Sequence, residues 1–184
     1  VFLGYSAAQV RPDASFTKMI PTQHPFIQNY FDYQRDLSSL GNVVRVAVEH
    51  TEGDIFDAEF QETVKNITDE VFFIPGVNRS GLRRLWTPNV RWMEVTEEGF
   101  VGGPVIPDGY DGSDESIAQL RENVLRSGEV GNLVANNFES TIIYVPLDEV
   151  NPDTGEKLDY ADFSQKLEEL VRDKYQSDSV KIHI

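Results

Sequence analysis

The chain contains no cysteine, which removes disulfide scaffolds, thiol nucleophiles and cysteine-bound zinc together. It holds no run of about 18 apolar residues, so no segment of it reads as a membrane span. Positive charge is scarce: 16 Lys and Arg stand against 31 Asp and Glu, a formal net charge of −15. Nucleic acids and anionic lipid heads are polyanions, so neither is expected as a partner. The one basic cluster, Arg79, Arg83 and Arg84, reads as a solvated turn. Histidine is reduced to His24, His50 and His183, far apart and in no metal-ligand spacing such as HExxH.

Catalytic signatures are missing as well. There is no GxSxG elbow, and "GYDGSDE" has neither the glycines nor the preceding strand of a phosphate cradle. Asp108, Asp111 and Asp114 recur every third residue, and "NPDTGEKLDYAD" places Asn151, Asp153 and Asp162 at loop positions 1, 3 and 12. A calcium loop needs oxygen ligands at 1, 3 and 5 and glycine at 6, which neither stretch supplies, so both read as turns. Carboxylates are numerous, but no pair stands out for acid–base work. The expectation is a chain with no catalytic residues, no metal and no cofactor, and not an enzyme.

What is present is ordinary globular composition, 40% hydrophobic and 26% charged, with 11 Phe, 7 Tyr and 2 Trp to build a core. "HPFIQNYFDYQRDLSSLG" reads as a helix with Phe26, Ile27, Tyr30, Phe31 and Leu37 on a stripe and Gly41 as its stop. "NVVRVAVEH" alternates as a strand. "DAEFQETVKNITDEVFFIPGV" repeats Phe60, Val64, Ile67 and Val71 at helical spacing behind Asp57 as N-cap. A strand region broken by Pro88 follows between Val77 and Phe100, and "RWMEVTEEGFVGG" predicts a hairpin turning at Thr96 to Gly99. Ser113 caps the next helix, with Ile117, Leu120 and Val124 inward. "STIIYVPL" is a strand, "YADFSQKLEELVRDKY" a helix with Phe163, Leu167 and Leu170 on one face, and "VKIHI" a last strand with His183 outward.

With the inserted stretch of about 96–137 set aside, the order is strand, helix, strand twice over. That is the split repeat of an α+β, ferredoxin-like βαββαβ sandwich, residues 42–184, preceded by an N-terminal segment and helix, residues 1–41. Phe72, Phe73, Trp86, Trp92 and Phe100 cluster around the helix end and the hairpin. Most are expected in the core; any that line a cleft suit an apolar or amphiphilic ligand.

"DEVFFIPGVNRSGLRRLW", with its helix, "IPGV" and strand, and later "GNLVANNFESTIIYVPL" followed by a helix and a short strand, form an ordered series. The series resembles the first extracytoplasmic loop of the resistance–nodulation–division (RND) superfamily of transporters, in particular the MMPL-type exporters, over most of residues 20–184. It departs at Asn136-Asn137-Phe138, where relatives often carry an Asp-Gly turn, so a wider hairpin is expected there. The resemblance implies a porter domain on the periplasmic side of the bacterial inner membrane. Its parent would be a multi-pass, proton-driven transporter of hydrophobic or amphiphilic cargo such as lipids or drugs. It also implies membrane helices before "VFLGYSAAQV" and after "VKIHI", a second periplasmic domain in the parent as partner, and a dimer or trimer of that parent. The competing expectation is a free-standing ferredoxin-like domain that binds a small ligand or acts as an enzyme.

Overall fold

The computed structural model describes residues 20–33, 42–150 and 155–184 of a chain that divides into two units, Val1–Ser38 and Ser39–Ile184. In the first unit, helix α1 spans Pro25–Tyr33, and the His24 carbonyl accepts from the amides of Ile27 and Gln28 at 2.9 and 3.0 Å. Ile27, Tyr30 and Phe31 are half-buried along it, whereas Phe26, expected on the same stripe, is exposed. Leu37, the Gly41 stop, the opening "VFLGYSAAQV" and the 151–154 part of the later turn lie outside the described residues.

The second unit is α+β. Strand β1, Val43–His50, lies between β4, Ser140–Pro146, and β5, Val180–His183, and pairs antiparallel with both. The registers Val46↔Ile143 and Val48↔Ile182 put the buried Val46, Val48, Thr141, Ile143, Val145, Val180 and Ile182 on one face. Two helices cover that face. Helix α2, Ala58–Phe73, begins where Asp57 accepts from the Phe60 amide at 2.8 Å and buries Phe60, Val64, Ile67 and Val71. Helix α4 runs over Tyr160–Leu167, passes through a π-helical turn at Glu168–Arg172 and ends at Asp173–Tyr175. That turn packs beside α2 and carries Val171 into the core, continuing the i+4 series Phe163, Leu167, Val171. Leu170, expected on this face, is exposed: the wider turn rotates it away. The other sheet face carries the charged side chains of the sheet, with His183 Nε2 2.7 Å from Glu49 and Arg45 over the Tyr144 ring at 5.9 Å.

The strand expected directly after α2 is reduced to two isolated bridges on the free edge of β4, Val77↔Leu147 and Arg83↔Tyr144. Between them a 3₁₀ turn, Arg79–Gly81, is capped by Asn78, whose side chain accepts from the Gly81 amide at 3.0 Å. The rest of that edge is met by Leu133 and Ala135, which exchange backbone bonds with Ile142 and Ser140 at 2.8 and 3.0 Å. Short pieces thus satisfy the exposed edge in place of one continuous strand. Residues 136–139 turn the chain back into β4 and set Phe138 at φ 61.

Between the bridging segment and β4 stand the expected hairpin and helix. Strands β2, Arg91–Thr96, and β3, Gly99–Pro104, pair as Arg91↔Pro104, Met93↔Gly102 and Val95↔Phe100. Helix α3, Asp114–Ser127, is capped by Ser113, buries Leu120 and Val124, and packs against β2. Asn123 on α3 is buried and donates to the Val105 carbonyl at 3.0 Å, which ties down the hairpin's exit. No helix among the described residues is long and apolar enough to cross a membrane.

Candidate functional site

A cleft of about 690 Å³ opens where the base of the hairpin meets two loops. The first loop turns at Arg84–Thr87: the Thr87 hydroxyl accepts from the Arg84 amide at 3.1 Å and donates to the Arg84 carbonyl at 2.6 Å. The second, residues 105–110, is joined to the first by the Val105 amide donating to the Val90 carbonyl at 3.1 Å. Pro88, Pro104 and Pro107 line the walls and fix the backbone there, since each proline ring locks its φ. Val90 and Val105 anchor both loops in the core.

Two aromatic rings shape the interior. Trp86 and Tyr110 meet edge to face, centroids 5.5 Å apart at 90°. The Trp86 indole donates to the Gln61 side-chain oxygen at 3.0 Å, and Lys65 sits 5.7 Å from its ring centroid. The Tyr110 hydroxyl is buried without a hydrogen-bond partner among the described residues. Burial pushes its pKa up, and the carboxylates of Asp57 and Asp111 add to the effect, so it stays a neutral phenol. Arg91 and Asp108 bring one charge of each sign to the lining, and Thr87 and Ile106 complete its polar and apolar parts.

The hairpin wall depends on glycine. A side chain at Gly102 would bring its Cβ to 2.6 Å from the Trp92 carbonyl oxygen, so only hydrogen fits at this crossing.

Of the aromatic residues singled out from the sequence, Trp86 lines the cleft. Trp92 lies on the opposite face of the hairpin, with the Arg126 guanidinium 5.4 Å from its ring centroid. Phe100 stands exposed near the hairpin tip. Phe72 and Phe73 are elsewhere, at the end of α2, where their rings meet at 5.3 Å and Arg79 covers Phe72 at 5.4 Å. Tyr110 and Arg91 were not singled out, and Asp108 was weighed only as part of a calcium loop and read as a turn. "PVIPDGY" announced a loop, but no periodicity reveals which wall a loop will face.

A second depression, about 640 Å³, lies over the β1–α2 connection around His50 and Phe56. Two of its three carboxylates are committed: Asp54 accepts from Arg121 at 2.8 Å and Asp57 caps α2, which leaves Glu52. The proline- and aromatic-lined cleft is the better candidate. No protein-family model matches the chain, and no curated protein matches it.

Proposed function

We propose that this chain is the extracytoplasmic substrate-path domain of a proton-driven RND-superfamily transporter of MMPL type, moving hydrophobic or amphiphilic molecules. The observation that carries the reading is the strand order β4–β1–β5, with α2 leaving β1 and α4 joining β4 to β5. A ferredoxin-like βαββαβ sandwich has its first strand between its third and fourth and helices on one face. Residues 77–83, bridging the free edge of β4, take the place of its second strand. That order supports the porter architecture that the "IPGV" and "STIIYVPL" motifs imply. The domain would contribute surface and no chemistry, with the cleft as part of the route and alternating access arising in the parent's membrane helices and second periplasmic domain.

The test has two parts. The parent gene should encode apolar segments of about 20 residues on either side of this chain. In cells expressing that parent, Trp86→Phe and Ile106→Ser should slow efflux of a fluorescent amphiphile while expression stays unchanged. Start and stop codons at the two ends, or undiminished efflux in both variants, would remove the transporter reading. The first outcome would favour a free-standing ligand-binding domain, because the cleft is built wholly from the residues of one unit.

A further inference from the structure

The substrate class of this cleft follows from its charges and from the surface that leads into it. Among the described residues, seven arginines other than Arg91 are engaged. Arg83, Arg84, Arg121, Arg126 and Arg172 lie within 4.0 Å of carboxylates, and Arg45 and Arg79 lie over aromatic rings. Arg91 alone has neither kind of partner, and it lines the cleft. Asp108 lines the same cleft and forms no ion pair with it. An unpaired cation and an unpaired anion in one cavity suit a ligand that carries both signs.

The hairpin supplies the other half of the recognition. Arg91, Met93 and Val95 alternate onto one face of β2, and their cross-strand partners Pro104, Gly102 and Phe100 share that face. Met93, Val95 and Phe100 are 66%, 73% and 78% exposed, far more than apolar side chains of their size usually show. An apolar strip thus begins at the cleft mouth and runs about 13 Å from Arg91 to Val95 at the strand's rise per residue. A single hydrocarbon tail would cover it.

We infer that the cleft binds a zwitterionic amphiphile, its anionic group on Arg91, its cationic group against Asp108 and the Trp86–Tyr110 pair, and its tail along Met93, Val95 and Phe100. Arginine meets a phosphate-like group with two parallel N–H donors. A quaternary ammonium is held by aromatic faces together with a carboxylate. The overall charge of −15 disfavours a purely anionic head, and a purely cationic one leaves Arg91 unanswered. The inference rests on the amphiphile-path reading and narrows it to a head group.

The experiment is titration of the 184-residue chain with four dodecyl amphiphiles below their micelle concentrations: phosphocholine, sulfate, trimethylammonium and maltoside. Calorimetry and tryptophan emission report binding. Dodecylphosphocholine should bind about tenfold tighter than the other three, the worth of one charge-assisted contact. Arg91→Gln and Asp108→Asn should each bring it down to the maltoside value. Phe100→Ser and Met93→Ser should weaken all four alike, and Lys181→Gln on the sheet face that carries the charged side chains should change nothing. These surface positions bear no core load, so folding is not at stake. Tightest binding of the sulfate would overturn the inference in favour of an anionic head. Equal binding of the maltoside would overturn head-group choice and leave the transport reading standing. Absence of binding by all four overturns the inference, and efflux by the parent then judges the transport reading separately.

Discussion

Trp86 donates its indole N–H to the side-chain oxygen of Gln61 at 3.0 Å, and Gln61 donates its own amide to the Ile55 carbonyl at 2.6 Å. A fully buried glutamine on α2 thereby fixes the orientation of the principal ring of the cleft. Gln61→Leu keeps the volume and removes both bonds, leaving the Ile55 carbonyl buried and unpaired. The expected loss is about 1–3 kcal/mol in urea denaturation, with a shift in tryptophan emission as the Trp86 ring is released. Gln61→Glu, which keeps the acceptor, should leave the emission closer to that of the parent chain.

Gly76 explains why "IPGV" ends α2 as it does. Its φ is +93, and a Cβ there would lie 2.4 Å from Leu158 Cδ1, on the approach to α4. Gly76→Ala therefore meets left-handed backbone strain and a steric clash, together about 2–4 kcal/mol. Adding Leu158→Ala should recover the clash part and not the backbone part. A denaturation midpoint fully restored in the double variant would show that the conformation of residue 76 carries no strain.

Phe138 lies in the turn that leads into β4, and its φ of 61 is one that glycine or asparagine adopts without difficulty. It is kept there by packing, its ring 5.7 Å from that of Phe56, while its carbonyl accepts from the Ile55 amide at 2.8 Å. Every replacement loses the ring contact, but Phe138→Asn and Phe138→Gly also relieve the backbone. Both should be more stable than Phe138→Ala, by about 1 kcal/mol in thermal or urea denaturation. The reverse order would mean that the backbone at this turn is relaxed.

These positions show where local pattern suffices and where it does not. Helix α2 was legible because Asp57, the four-three-four apolar spacing and Pro75-Gly76 all point the same way. The alternation in β1, β4 and β5 fixed which side chains face inward, and "VTEEGF" marked the hairpin turn. The edge segment at residues 77–83 was misread because apolar content cannot say whether a neighbouring edge offers one continuous register. Leu170 was misassigned because a π turn inserts a residue that 3.6-residue spacing does not anticipate. The cleft was largely illegible: Arg91 and Tyr110 flank the hairpin that was expected, but the bond from Val105 to Val90 that closes its base, and the loop at 105–110 beyond it, are encoded by no sequence period.

Arg84 is a case in which removing a charge should help. Its Nε and Nη1 are buried without hydrogen-bond partners among the described residues, and Asp69 lies 3.7 Å away. Burial holds the guanidinium below its ordinary pKa, with Asp69 pulling in the other direction, so the fold bears a desolvation penalty at neutral pH. Arg84→Met retains the length and drops the charge. Stability should be unchanged or rise by about 1 kcal/mol, as for other buried ions replaced by apolar groups. A loss above about 2 kcal/mol would show that the guanidinium is better paired than this geometry allows.

Asp111 links the cleft loop to α3 and gives the loop an acid-sensitive hold. The Ser113 hydroxyl, the Ser113 amide donating at 2.9 Å and the nearby Ser116 hydroxyl hold its carboxyl below the ordinary carboxylate range. Because the folded pKa is the depressed one, the unfolded chain takes up the proton first. The ionised form therefore adds stability that is complete above the unfolded value, about pH 4, and is lost as pH falls through the lower folded value. Asp111→Asn keeps the shape and cannot ionise. Its deficit relative to the parent chain should be constant from neutral pH down to about pH 5, then shrink and vanish in stronger acid. The other carboxylates titrate in both chains and cancel in the difference, so urea midpoints compared pairwise across pH isolate this one group. A deficit that persists unchanged into strong acid would mean that Asp111 acts through the shape of its turn and not through its charge.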